Sequence, residues 1–200
     1  MYNRRVLYLT RHGQTDYNLN RRYQSRTDVP LNETGIEQAR SLARGLAGTK
    51  FARVISSPMN RAVETAAIIT GREASEIETD EVLLEAALGD WEARLEADLI
   101  AELGDSYFKW QAMGGLFAPP GGESIYSVMA RLAEPAEKWI EEARERDILI
   151  VAHQGTNVAF LMLVTGRCGK QAAEDFRQKN GQVDIIDANT RKIVRTLVFP

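Results

Sequence analysis

The sequence predicts an α/β fold, a three-layer α/β/α sandwich with a mostly parallel central sheet. Short apolar runs, Val6-Leu7-Tyr8-Leu9, Phe51 to Ile55 and Ile148-Leu149-Ile150-Val151-Ala152, alternate with longer amphipathic stretches. That is the order of parallel strands joined by crossover helices. The first and last of these runs lead into His12-Gly13 and His153-Gln154-Gly155, which hold the only two histidines of the chain. Ligands bind at the carboxyl edge of an open α/β sheet, so the two strand ends read as one site built twice. The chain closes on two alternating segments around Ala188-Asn189-Thr190-Arg191, a β-hairpin at the sheet edge.

Each element has a local reason. Gly13 lets the backbone turn after the first strand, and the polar, arginine-rich segment up to Pro30 is a loop. Asn32 reads as the N-cap of a helix to about Leu46, with Leu42, Ala43 and Leu46 on one face and Gly48 as a stop. Phe51 to Ile55 is a strand. Ser57 reads as the cap of a helix whose first position is Pro58, where a missing N–H costs nothing, and Arg61 falls in its first turn. Residues 74–79 are acidic, with a short strand as one reading. Glu92 to Leu103 and Tyr107 to Met113 read as two helical pieces, and their aromatic residues Trp91, Tyr107, Phe108, Trp110 and Phe117 mostly as core. Glu123 to Arg146 is a long amphipathic helix that Pro135 should kink or split. A helix from about Thr156 to Thr165 is closed by Gly166, and Lys170 to Gln178 forms another.

Composition bounds the function. Two hundred residues, 44% hydrophobic and 26% charged, fit one globular domain over 1–200. Cys168 stands alone, so there is no disulfide framework and a reducing, cytoplasmic setting is the simplest reading. Its expected place is as a small buried residue. Thiol-based phosphoryl chemistry would need an arginine at position 174, where Glu174 stands. No apolar run reaches the roughly 20 residues of a membrane span. A net charge of −3 gives no bias toward nucleic acid. Locally, residues 1–26 carry six arginines (4, 5, 11, 21, 22 and 26) against Asp16 alone. A solvated basic face accounts for Arg4 and Arg5, whereas Arg11 beside His12 points to an anionic ligand.

Three side chains have two local readings each. His12 by itself is an ordinary polar residue at a strand end. Arg61 is a surface ion-pair residue or, beside a helix N-terminus, an anion ligand. Glu85, set among Leu83, Leu84, Ala86, Ala87 and Leu88, is a solvated turn glutamate or a carboxyl whose charged form is disfavoured, able to hold and donate a proton.

The pattern as a whole is more specific. Arg11-His12-Gly13-x-Thr15-x-x-Asn18 is followed in order by Asp28-x-Pro30-Leu31-x-x-x-Gly35-x-x-Gln38-Ala39 and by Ser56-Ser57-Pro58-x-x-Arg61-Ala62-x-x-Thr65-Ala66. Then come Leu84-Glu85 with Gly89-x-Trp91-Glu92, Gly121-Gly122-Glu123-Ser124, and Ala152-His153. Together they resemble the histidine phosphatase superfamily, the phosphoglycerate-mutase-like fold. The resemblance implies that His12 is a nucleophile whose other ring N–H is held by a backbone carbonyl. It implies that Arg11, Arg61 and His153 surround the phosphoryl oxygens with Asn18 as a neutral donor, and that Glu85 protonates the leaving alcohol. Gln24, Ser25 and Gln154 are further expected phosphate or substrate contacts, and residues about 92–120 form a helical cap ending in a hinge-like Pro119-Pro120-Gly121-Gly122.

The same resemblance implies no cofactor and no metal, since two histidines and two arginines would repel a divalent ion. There is no Walker-type loop and no Asp-x-Asp pair. The expected partner is a small phosphomonoester of the sugar phosphate, phosphoglycerate, phosphoserine or α-ribazole phosphate type, not a nucleic acid or a membrane, and a homodimer is compatible with it. The chain departs from the family at Gln14, Ser25, Ala93 and Gln154-Gly155; Ser25 bears on a backbone N–H contact to phosphate. Ala86-Ala87-Leu88 offers little to grip a bisphosphate, which favours a phosphatase over a phosphoglycerate mutase. A catalytically silent phospho-ligand-binding module would have no need of nucleophile and acid together.

Overall fold

Strict alternation along the strands sets the architecture. In the computed structural model, which describes residues 5–199, β1 (Val6–Arg11) sends Leu7 and Leu9 to one face and Val6 and Tyr8 to the other, with both pairs buried. β2 (Arg53–Ser56) and β4 (Ile148–Ala152) divide their residues in the same way. Strands apolar on both faces need cover on both. On one face lie α6 (Ile125–Ala143), α7 (Gln154–Thr165) and α8 (Lys170–Asp175). On the other lie α2 (Glu33–Gly45) and α3 (Asn60–Thr70). The result is three layers.

The sheet has the order β3-β2-β4-β1-β5-β6. β1 to β4 run parallel, with β3 (Glu78–Thr79) at one edge. β5 (Gln182–Asp187) and β6 (Lys192–Val198) are the expected hairpin, antiparallel to β1 and to each other. A short helix, α1 (Asp16–Leu19), follows the His12 loop, and α4 (Glu96–Leu103) and α5 (Asp105–Ala112) lie between Glu85 and the Gly121-Gly122 turn. Trp91, Leu99 and Tyr107 form a small core of their own with Tyr23, Leu88 and Trp110 packed against it. Among the described residues no helix is long and apolar enough to cross a membrane.

Several expected boundaries shift, each for a physical reason. α3 begins at Asn60 rather than Pro58; Ser57 Oγ accepts from Met59 N at 3.4 Å, ahead of the helix, and is shared with His153. α4 begins at Glu96 rather than Glu92, since Ala93 adopts φ 60°, outside the helical region, and Glu92 is tied to the 25–27 loop. Pro135 does not split α6. Leu132, Ala136, Trp139, Ile140 and Ala143 are buried on both sides of it, and burial of that stripe sustains the helix. α8 ends at Asp175 because Gln178 turns back to donate to Leu9 O. Cys168 is exposed, not buried, in the turn after the left-handed Gly166. Phe108 and Phe117 are also exposed, unlike Trp91 and Tyr107.

Two glycines seat the site loop on α2. A Cβ at Gly35 would lie 2.1 Å from Gln14 O, and one at Gly13 would lie 2.4 Å from Gly35 O. Asn32 caps this helix, its Oδ1 accepting from Gly35 N at 2.9 Å while Asn32 N donates to Gln14 O at 3.0 Å. Backbone on both sides leaves no room for a methyl group. Gly35→Ala is therefore expected to destabilise by about 2 kcal/mol and to lower the unfolding midpoint by about 6 °C, read by scanning calorimetry.

Candidate active site

Parallel pairing of β1 with β4 puts Arg11 opposite Ala152, so the next residues, His12 and His153, leave neighbouring strands at one edge. Their ring centroids are 5.1 Å apart. His12 Nδ1 lies 2.7 Å from Gly13 O. A carbonyl only accepts, so Nδ1 carries the hydrogen and Nε2 keeps its lone pair. Burial, then the charges of Arg11 and Arg61, hold this imidazole well below the usual histidine pKa, which keeps it neutral.

His153 is fixed from both sides. Arg61 Nη2 donates to its Nδ1 at 3.3 Å, and its Nε2 donates to Ser57 Oγ at 2.7 Å. It too is held neutral, by burial and then by Arg61, His12 and Arg11. Arg61, the second residue of α3, is fully buried and donates to Thr27 O at 3.0 Å and Ser25 O at 2.8 Å. Its ion-pair partner, Asp28, lies at 3.8 Å. Arg11 donates to Gln154 Oε1 at 2.8 Å and to Gln178 O at 3.1 Å, and burial brings its pKa down to about 10. The Nε atoms of both arginines are buried with no hydrogen-bond partner among the described residues. Two guanidinium groups with open donors beside a neutral imidazole suit an oxyanion.

Glu85 is not in the apolar setting expected of it. Its carboxylate accepts from Ala86 N at 2.8 Å and from Gly155 N and Thr156 N at 3.1 Å each. The last two belong to the first turn of α7, whose dipole favours an acid there. Its charge also acts on Arg11 and Arg61, so acid, nucleophile and cations share one electrostatic neighbourhood.

The remaining expected contacts differ in what they offer. Asn18 Oδ1 accepts from Thr15 N and Asn180 Nδ2, while its Nδ2 makes no hydrogen bond among the described residues. Gln24 is engaged by Thr15 and Thr27. Ser25 donates its N–H to Glu92 Oε1 at 3.0 Å, so that group is not free for phosphate, and its buried hydroxyl has no partner among the described residues. Arg11, Asn18, Gln24, Glu85 and Gln154 line a cleft of about 240 Å³ together with Arg22, Tyr23, Leu88, Trp110, Glu123 and Arg177. His12, Arg61 and His153 are buried and stand outside that lining. Among the described residues no cluster of histidine, cysteine and acidic side chains could hold a metal ion.

Sequence reasoning missed the residues that hold this set in place. Thr65 Oγ1 accepts from Gly13 N at 3.0 Å, Asn180 donates to His12 O at 2.8 Å, and Glu92 accepts from Ser25 N and Thr27 N. Thr65 and Glu92 stand in the motifs, which was the available signal; Asn180 had none.

The histidines make stability depend on pH. Unfolded, each binds a proton near pH 6.5; folded, both resist it. The unfolded state then holds more protons as pH falls below about 6.5, so stability drops there. The midpoint of unfolding is expected to fall between pH 7 and pH 5, and less steeply in His12→Ala.

The comparisons agree with this geometry. Residues 7–198 match the model of the histidine phosphatase superfamily (branch 1). The chain is 30% identical over 185 residues to the adenosylcobalamin/alpha-ribazole phosphatase of Escherichia coli, covering 92% of this chain and 91% of that one. It is 31% identical to the glucosyl-3-phosphoglycerate phosphatase of Mycolicibacterium vanbaalenii, covering 81% and 75%. The solved structure of a mycobacterial glucosyl-3-phosphoglycerate phosphatase in complex with VO3 superposes with a TM-score of 0.81 at 29% identity, covering 91% of this chain and 92% of that one. The nucleophile signature, the sheet that carries it and these relatives agree: the chain belongs to the histidine phosphatase superfamily, branch 1, and is a phosphatase of that superfamily.

Proposed function

We propose that this chain hydrolyses a small phosphomonoester through a phosphohistidine at His12, with Glu85 as acid and base. His12 Nε2 bonds to phosphorus as the ester P–O bond breaks, and Glu85, which takes up the proton carried by the monoanion of the incoming ester, gives it to the departing oxygen. Water then bonds to phosphorus, Glu85 takes a proton from it, and the P–N bond breaks to return His12 and orthophosphate. Arg11 and Arg61 offset the charge on the phosphoryl oxygens throughout. His153 supplies a third contact.

The observation that carries this reading is the His12 ring itself, neutral, with Nδ1–H committed to Gly13 O and the half-buried guanidinium of Arg11 as its neighbour in sequence. In this reading Asn18, Gln24 and Gln154 contact the substrate from the cleft, Ser25 holds Arg61 through its carbonyl, and residues about 92–120 act as the cap over a site that works in the cytoplasm. Phosphate esters of the kinds named for the relatives, α-ribazole phosphate and glucosyl-3-phosphoglycerate, are the first candidates. Ala86 and Leu88 line the cleft and offer no polar grip on a bisphosphate, which supports hydrolysis over isomerisation. Incubation with 3-phosphoglycerate decides between them: orthophosphate is the expected product, and 2-phosphoglycerate without phosphate release would overturn the reading.

A further inference from the structure

Residues 85–88, which include the proposed acid, belong to neither a helix nor a strand. No ladder fixes such a segment, so its backbone groups must be met from elsewhere, and those partners decide where the Glu85 carboxyl sits. The side chain is held by the N–H groups of Ala86, Gly155 and Thr156. There is little slack around it, since a Cβ at Gly155 would lie 2.7 Å from Glu85 Oε1. A small shift of the main chain at 84–85 would carry the carboxyl off these donors.

The main chain is held by α6. Arg131, in the second turn of that helix, donates through Nη1 to Val82 O and through Nη2 to Leu84 O at 2.6 Å and, more weakly, to Glu85 O at 3.4 Å. Its Nε donates to Glu123 Oε1 at 3.2 Å, and the other oxygen of that carboxylate accepts from Ala87 N at 2.9 Å. Glu123 N in turn donates to Ala87 O at 2.7 Å. One guanidinium and its counter-ion thus grip the chain on both sides of Glu85. The rigid fork of an arginine can meet several carbonyls in fixed directions, which a single ammonium cannot. Arg131 does not line the cleft, so any effect it has on the reaction passes through the residues it holds.

We infer that Arg131 is a positioning residue for the reaction: through the carbonyls of Val82, Leu84 and Glu85, its guanidinium holds the Glu85 carboxyl in place for proton transfer. This rests on the phosphatase reading and gives a role to a side chain that touches no substrate.

The test reads kcat/KM for glycerol 3-phosphate and for p-nitrophenyl phosphate. That constant covers the steps up to the first P–O cleavage, where only the alkyl ester needs a proton. Arg131→Met is expected to lower the alkyl-to-nitrophenyl ratio by about tenfold or more, the effect of a misplaced group. In the Glu85→Gln protein, where the acid is already gone, the same substitution should leave the ratio unchanged. Arg131→Lys keeps the charge opposite Glu123 and part of the donor set, so it should restore most of the stability and part of the ratio. Equal slowing of both esters, or an equal fall of the ratio in both backgrounds, would mark a merely structural residue and overturn the inference. A readout without turnover separates this from a failure of the acid itself. With glutamate labelled by 13C at the side-chain carboxyl, the Glu85 resonance, identified by its loss in Glu85→Gln, is expected to move in Arg131→Met. If Glu85→Gln itself keeps the wild-type ratio, the acid assignment falls and the resonance alone decides the inference: moved, Arg131 still places that carboxyl; unmoved, it does not.

Discussion

Replacing His12 with alanine is expected to lower kcat for p-nitrophenyl phosphate by roughly three orders of magnitude or more, with the fold intact. No other group in the site can take its place. His153 has both ring nitrogens engaged, by Arg61 and Ser57, and Cys168 is in an exposed turn after α7. The arginines and Glu85 remain in the variant, so phosphate should still bind, and inhibition by orthophosphate is the control for an intact pocket. A rapid alkaline, denaturing quench of the wild type during turnover should trap phosphate on the protein that is stable to alkali and lost on acid treatment, and His12→Ala should trap none. Equal turnover by the two proteins would remove His12 from the mechanism.

Glu85→Gln is expected to slow hydrolysis of an alkyl phosphate by about 10²–10⁴-fold and that of p-nitrophenyl phosphate by much less. Glutamine is isosteric, yet it cannot give a proton to the departing oxygen. Nitrophenolate leaves without one, so the first step is spared and the deficit moves to attack by water. The substitution carries a second effect that the geometry makes specific. The Glu85 carboxylate accepts three backbone N–H groups, two from the first turn of α7, and the amide oxygen of glutamine can keep only part of that set. A small loss of stability should accompany the kinetic change. If alkyl and nitrophenyl esters slow equally, the residue is a strut for α7 and not the acid.

How much of this was legible in the sequence depends on the range of the interaction. Apolar runs gave β1 and β4, and Asn32 gave the start of α2, because each is decided within a few residues by alternation or a cap. Arg11, His12, Arg61, Glu85 and His153 were legible because they sit in a spaced pattern. Glu85 shows the limit. Its neighbours in sequence are apolar, whereas its neighbours in space are N–H donors some 70 residues further on. Ser57 was read as a helix cap because a serine before proline does that locally; its hydroxyl does accept from Met59 N, but its shorter bond is to the ring of His153. The end of α8 failed for the same reason: Gln178 and Asn180 are drawn out to bond the carbonyls of Leu9 and His12, contacts no periodicity encodes.

The place of β4 in the sheet has one more consequence. It is among the later strands in the sequence, yet it lies between β2 and β1, so the middle of the sheet is the last parallel position to be filled. As the polypeptide emerges from a ribosome, β1 and β2 are made long before the strand that joins them. No nascent fragment ending before residue 153 holds both rings. The site is therefore complete only once β4 and the segment after it, with Gln178 and Asn180 on Arg11 and His12, are in place.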